Sequence, residues 1–130
     1  MRNGFKISKV IPAKPSEIYK AWLSSKGHSA MTGSTAKVTG KVGGKFSAWD
    51  GYIFGKTLEL EPERRIVQAW RTSEFPNEAP DSRLEVLLVE TKTGTKVTFT
   101  HTEIPDGQAD SYKQGWEDFY FKPMKQYFGK

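Results

Sequence analysis

Residues 110–128 read DSYKQGWEDFYFKPMKQYF, and this stretch decides the fold. Tyr112, Trp116, Phe119, Tyr120, Met124, Tyr127 and Phe128 recur at spacings of three, four and seven, which describes a long amphipathic helix whose apolar stripe has to be buried. Pro123 lies inside that helix, where it removes one backbone hydrogen bond and is expected to kink the last turns over a surface. Gly115, beside Trp116, is expected to permit a close backbone approach.

The surface that receives the helix is written in the preceding segment. From Thr35 to Thr102 the hydrophobic period is two, with Ala36, Val38 and Val42 opposed in parity to Thr35, Lys37, Thr39 and Lys41. Gly43-Gly44 and Asp50-Gly51 are hairpin turn pairs, so strands over 35–42, 45–49 and 52–61 should follow one another antiparallel. Glu61-Pro62-Glu63 breaks the chain before a strand over 65–72. Residues 73–82, with Pro76, Asn77, Pro80 and Asp81, form a loop, and strands over 84–91 and 96–102 then pair across Lys92-Thr93-Gly94. Pro105-Asp106-Gly107 ends the sheet. At the other end of the chain, residues 5–10 alternate as a first strand, Pro15-Ser16-Glu17 opens a short helix with proline in its first turn, and a second short helix runs over 25–31. Lys14 is a poor side-chain cap, so the first helix leans on Pro15 and the acidic Glu17.

The order is therefore strand, two short helices, six strands and a long helix. It describes an α+β helix-grip domain over residues 1–130: a curved antiparallel sheet of about seven strands wrapped around the C-terminal helix. A curved sheet does not touch a straight rod along its whole length, so the geometry leaves a space between the two. The four Trp and eight Phe can line that space or fill it, and the sequence leaves both open.

Composition narrows the function classes. The chain has 130 residues and no Cys, which excludes disulfides, thiolate zinc sites and a cysteine nucleophile. No apolar run approaches the ~20 residues of a membrane span, and MRNGFKISKV lacks the apolar stretch of a secretory signal, so a cytoplasmic protein without a membrane partner is expected. Residues 1–50 carry net +7 and residues 51–130 net −2. That asymmetry can steer an acidic partner, with Lys37, Lys41 and Lys45 as surface candidates, although a solvated face explains separated lysines equally well. Ribonucleoprotein aromatic signatures, zinc-finger ligand pairs and a GXXG clamp are missing, so no nucleic acid is expected.

The resemblance that emerges rests on residues in one order over positions 6–128: Gly43-Gly44-Lys45-Phe46, Asp50-Gly51, Gly55, the run from Pro62 through Trp70-Arg71, Ile104-Pro105, and Gly115-Trp116 through Phe128. The chain resembles the family of activators of the heat-shock-protein-ninety ATPase, most nearly the C-terminal domain of the eukaryotic activator, within the START-like, birch-pollen-allergen-like superfamily. The resemblance implies a helix-grip fold and a co-chaperone surface that stimulates ATP hydrolysis by favouring a closed chaperone dimer. No counterpart of the eukaryotic activator's separate N-terminal domain is expected. Other single-domain relatives in the superfamily bind apolar small molecules, and a few are cyclases or hydrolases.

Residue by residue, the candidates are these. Trp22, Phe54, Trp70, His101, Trp116, Tyr120 and Met124 are candidates for a ligand cavity wall, and each would serve equally as packed core. His101 shares strand parity with Val97 and Phe99 and so points toward the helix, whereas His28 is expected on an exposed helix face. Arg71, opposite in parity to Trp70, offers a guanidinium to a partner carboxylate. Two His and no paired acid supply neither a catalytic assignment nor a metal site, and no cofactor is expected. The reading is a non-enzymatic binding protein of the activator family that engages the heat-shock-protein-ninety chaperone. The alternative is a carrier or sensor of an apolar small molecule held between sheet and helix, with a cyclase or hydrolase third.

Overall fold

A computed structural model describes residues 3–129; Met1, Arg2 and Lys130, part of the expected 1–130 domain, lie outside the described residues. The strands are β1 (Asn3–Ile11), β2 (Lys37–Val38), β3 (Lys45–Ala48), β4 (Ile53–Glu61), β5 (Arg65–Thr72), β6 (Ser82–Thr91) and β7 (Gly94–Ile104). They form one antiparallel sheet in the order β1-β7-β6-β5-β4-β3-β2, in which only β1 leaves the sequential meander to close against β7. Helices α1 (Pro15–Trp22) and α2 (Ser25–Thr32) follow β1, and the C-terminal helix packs across the concave face. This is the α+β helix-grip architecture. Among the described residues no helix is long and apolar enough to cross a membrane.

The C-terminal helix departs from the expected kinked rod. It runs as α3 (Ala109–Trp116), a wide π-helical turn over Glu117–Phe121, and α4 (Lys122–Phe128), with the Lys122 N–H reaching back five residues to the Glu117 carbonyl. The extra residue per turn makes room just before Pro123, whose ring would otherwise strike the preceding turn and whose missing N–H would break the α ladder. It also rotates the stripe, so that Trp116, Tyr120, Phe121 and Met124 all face the sheet. Phe121 stacks face to face on Phe99 of β7, with ring centroids 4.7 Å apart. Phe119 is correspondingly moved to the margin, half-exposed and edge-on to Trp49 at 5.4 Å.

Helix α1 begins as expected, with the backbone N–H of Lys14 donating to the Glu17 carboxylate at 3.0 Å. Helix α2 lies closer to it than periodicity alone suggests. A Cβ at Gly27 would sit 2.7 Å from the Ala21 Cα, so glycine is what lets the two helices touch. That approach drives His28 inward and overturns its expected exposure: it is 2% accessible.

The expected strand over 35–42 shrinks to two residues, and Val42 is exposed rather than buried. The Gly43-Gly44 turn bends the chain toward β4, where the Gly43 N–H donates to the Thr57 carbonyl at 2.8 Å and the Thr57 N–H to that of Gly44 at 2.9 Å. The remaining edge is closed by α2. Ser29 Oγ accepts the Ala36 N–H at 2.8 Å and donates to the Ala36 carbonyl at 3.3 Å, while Ser25 Oγ accepts the Val38 N–H at 2.8 Å. Residues 25 and 29 share one helix face, and 36 and 38 share one edge of the strand, so two hydroxyls take the place of a neighbouring strand. Replacing Ser29 by Ala strands a part-buried N–H and should lower unfolding free energy in urea by about 1–2 kcal/mol, with the more exposed Ser25→Ala costing about half a kcal/mol or less.

Candidate functional site

The space between sheet and helix is occupied by an aromatic cluster threaded with hydrogen bonds. Trp22 comes from α1, Trp70 from β5, Phe99 and His101 from β7, and Trp116, Tyr120 and Met124 from the C-terminal helix; all are buried. The inward parity of β4, β5, β6, β7 and β1 brings Thr57, Gln68, Leu84, His101 and Phe5 into one row across the sheet. Trp22 Nε1 donates to Gln68 Oε1 at 3.1 Å, and Gln68 Nε2 donates to Thr57 Oγ1 at 3.2 Å. A buried amide with both ends used is a structural strut, positioning α1 on the sheet.

The two histidines are locked in opposite tautomers. An indole N–H can only donate, so the 3.1 Å contact from Trp116 Nε1 makes His101 Nδ1 an acceptor, and its proton sits on Nε2, 2.8 Å from Ser82 Oγ. Ser82 passes its own proton to the Trp70 carbonyl at 2.6 Å, which completes the chain. His28 is the reverse. A carbonyl can only accept, so His28 Nδ1 donates to the Trp22 carbonyl at 2.9 Å and Nε2 accepts from the Tyr120 hydroxyl at 2.8 Å. Burial holds His28 at about 4, against the smaller opposing pull of the Trp22 carbonyl, and holds His101 at about 3. Burial likewise pushes the Tyr120 hydroxyl up.

Of the seven cavity candidates, Trp70, Trp116 and Tyr120 line an apolar hollow of about 40 Å³, joined there by Tyr112, Gly115 and Phe119. Trp22, His101 and Met124 are packed within the core beside it. Phe54 does not belong with them. It is directly opposite Ser47 of β3 and Arg71 of β5 on the outer face, and half-exposed, because parity along β4 turns it away from the helix. The hollow holds little more than one water molecule, whose share of liquid volume is ~30 Å³, well below the ~300 Å³ at which small-molecule pockets begin. Gly115 sits on it without the expected close approach: a Cβ there would meet only Phe119, at 3.8 Å. Tyr112 and Phe119 were legible as part of one helical stripe, whereas the inward turn of His28 depended on a helix contact that no periodicity reports.

Among the partner-surface candidates, Lys37, Lys41 and Lys45 are exposed. Arg71 is engaged within the chain itself. Its guanidinium donates to Asp81 at 2.8 Å and to the carbonyls of Ala79 at 2.9 Å and Pro76 at 3.0 Å, and lies over the Phe75 ring at 5.3 Å. The loop after β5 folds back over the strand end, so Arg71 ties that loop down. Among the described residues, no His, Asp and Glu side chains cluster in threes or more that could hold a metal ion.

The family model described as Activator of Hsp90 ATPase homolog 1-like protein matches residues 12–129. The chain belongs to that family. It is 30% identical over 115 residues, 88% of its length, to the human protein named Activator of 90 kDa heat shock protein ATPase homolog 1, and 26% identical over 123 residues to the homolog from Dictyostelium discoideum. It spans about a third of the length of these curated relatives, covering 34% and 32% of them. A solved structure described as an HSP90 activator from Plasmodium falciparum superposes with a TM-score of 0.88 at 28% identity, covering 97% of this chain and 96% of that one. The Aha1 dimer from Colwellia psychrerythraea, at 19% identity and a TM-score of 0.72, shares the fold.

The buried histidines make stability in acid a direct readout of this core. The unfolded chain takes up protons near pH 6.5, the folded chain only near 4 and 3, so between those limits the unfolded state binds more protons and stability falls as pH falls. Lowering pH from 7 to 5 should cost roughly 2 kcal/mol for each histidine, read by urea unfolding, and His28→Gln or His101→Gln should remove about half of that slope.

Proposed function

We propose that this protein is a binding module that stimulates the ATPase of a heat-shock-protein-90 chaperone and performs no chemistry itself, in the cytoplasm as a co-chaperone. The observation that carries this reading is the near end-to-end correspondence with the Plasmodium falciparum HSP90 activator, 97% and 96% of the two chains, which supports taking one helix-grip domain as the binding unit. The interior agrees with a binding role. Both imidazoles have both nitrogens engaged and are kept neutral at physiological pH by burial, which suits core struts better than proton-transfer groups.

Stimulation requires that the protein bind one chaperone conformation more tightly than another, and a tenfold rate gain needs only about 1.4 kcal/mol of that difference. Adding the protein to the heat-shock-protein-90 chaperone of the same organism should therefore give saturable stimulation of ATP hydrolysis. The half-saturating concentration should rise with salt, because exposed lysines supply the attraction. Absence of both binding and stimulation at low and moderate salt would reject the reading.

A second reading, as carrier or sensor of an apolar molecule, draws on the hollow beside Gly115, whose lining is apolar and whose glycine lacks a packing reason. Gly115→Ala should raise unfolding free energy by about 0.5–1 kcal/mol, since glycine in a helix interior is costly and the added Cβ meets only an ordinary contact. Gly115→Leu should in addition abolish retention of any apolar ligand that mass spectrometry finds in purified parent protein. Unchanged retention rejects the hollow as its site.

A further inference from the structure

The outer face of the sheet carries its own charge pattern. On β4, alternate residues Phe54, Lys56 and Leu58 are exposed, the bulge between Thr57 and Glu59 falling beside Leu58. Lys56 is directly opposite Lys45 of β3, and Phe54 is opposite Ser47, which in turn faces Lys37 of β2. Two lysines opposite one another across a strand pair repel, and such a pair is destabilising unless an acid lies between them. None is there: among the described residues, Lys37, Lys45 and Lys56 make no ion pair, and the next carboxylate along β4, Glu59, is taken by Arg65 at 2.8 Å. Arg65 also holds Glu61 at 3.2 Å and Glu85 at 2.7 Å, so these three acids are drawn to arginines rather than to the lysines. An open groove of about 520 Å³ runs along β2 and β3 with Lys37 and Lys45 on its walls.

We propose that this face, with Lys37, Lys45 and Lys56 and with Phe54 and Leu58 on either side of Lys56 along β4, docks an acidic protein segment that also carries apolar side chains. Carboxylates relieve the lysine pair, and the segment's apolar side chains cover Phe54 and Leu58. Phe54 and Leu58 are 39% and 38% exposed and alternate with Lys56 along β4, a mixed charged and apolar surface that suits contact with another protein better than insertion into a bilayer. Phosphates alone would leave the apolar positions wet. The proposal deepens the chaperone reading, since it names the surface through which such a partner is held, and it rests on that reading for the partner's identity.

The test uses the full chain and a fluorescent synthetic peptide alternating Glu with Phe and Leu, alongside the chaperone itself. The combined variant K37E/K45E/K56E should bind the peptide at least about tenfold more weakly than the parent. Lys113→Glu, on the exposed side of α3, should change binding less than about twofold. Lys56→Glu turns a like-charge pair into an opposite one, so it should raise the melting temperature while weakening the peptide; a variant that melts lower, or binds as well as the parent, overturns the proposal. Equal losses from Lys113→Glu and the triple variant also overturn it, as does tighter lysine-dependent binding to phosphatidylserine vesicles or to polyuridylate than to the peptide. Peptide binding at this face without any binding of the chaperone supports the docking surface and rejects the chaperone as its partner.

Discussion

The hydrogen bond from Trp116 to His101 is the constraint around which the rest of the molecule is arranged. It joins the centre of the C-terminal helix to the centre of β7, in a space shared with Trp22, Trp70 and Phe99. An indole buried without a partner would forfeit a hydrogen bond to water, so the helix can enter the concave sheet at this depth only where an acceptor waits for it. His101 is that acceptor because Ser82 holds its other nitrogen, and Ser82 is oriented by the Trp70 carbonyl. One protonation state satisfies the whole chain. Charging the imidazole would turn Nδ1 into a donor facing a donor, which is why burial and geometry push the same way.

A second polar tie fixes the far end of the core. His28 links the Trp22 carbonyl to the Tyr120 hydroxyl, so α1, α2 and the C-terminal helix meet on a single imidazole. The π-helical turn makes the meeting possible by letting Tyr120 face His28 while its neighbour Phe121 stacks on Phe99. In a regular α-helix adjacent residues diverge by about 100 degrees, and the wider π turn narrows that divergence. Pro123 thus does more than interrupt a helix: the wide turn that accommodates it aligns two aromatic side chains with a single concave surface.

On the proposed binding reading, a core packed this closely turns recognition to the outside. The interior is packed down to a hollow near Gly115, and its titratable groups are spoken for, whereas the outer face carries an unrelieved lysine pair beside half-exposed Phe54 and Leu58. Charges arranged against stability are more readily understood as arranged for a partner.

Much of this was legible in the sequence, because it depends on local periodicity. The seven strands, their meander, the turn pairs, the two short helices and the stripe from Tyr112 to Met124 all follow from a period of two giving way to a period near 3.6. Parity alone turned His101 and Trp70 inward. What tertiary structure decided was wherever two elements meet without announcing it. His28 is buried because Gly27 lets α2 settle on Ala21, and Arg71 is consumed because a nine-residue loop folds back upon it. β2 stops at two residues because the Gly43-Gly44 turn bends toward β4, its free edge is closed by Ser25 and Ser29, and Phe54 faces outward because β4 presents its other side to the helix. Periodicity records which side of its own element a residue occupies; what lies on that side is settled by how the elements close on one another.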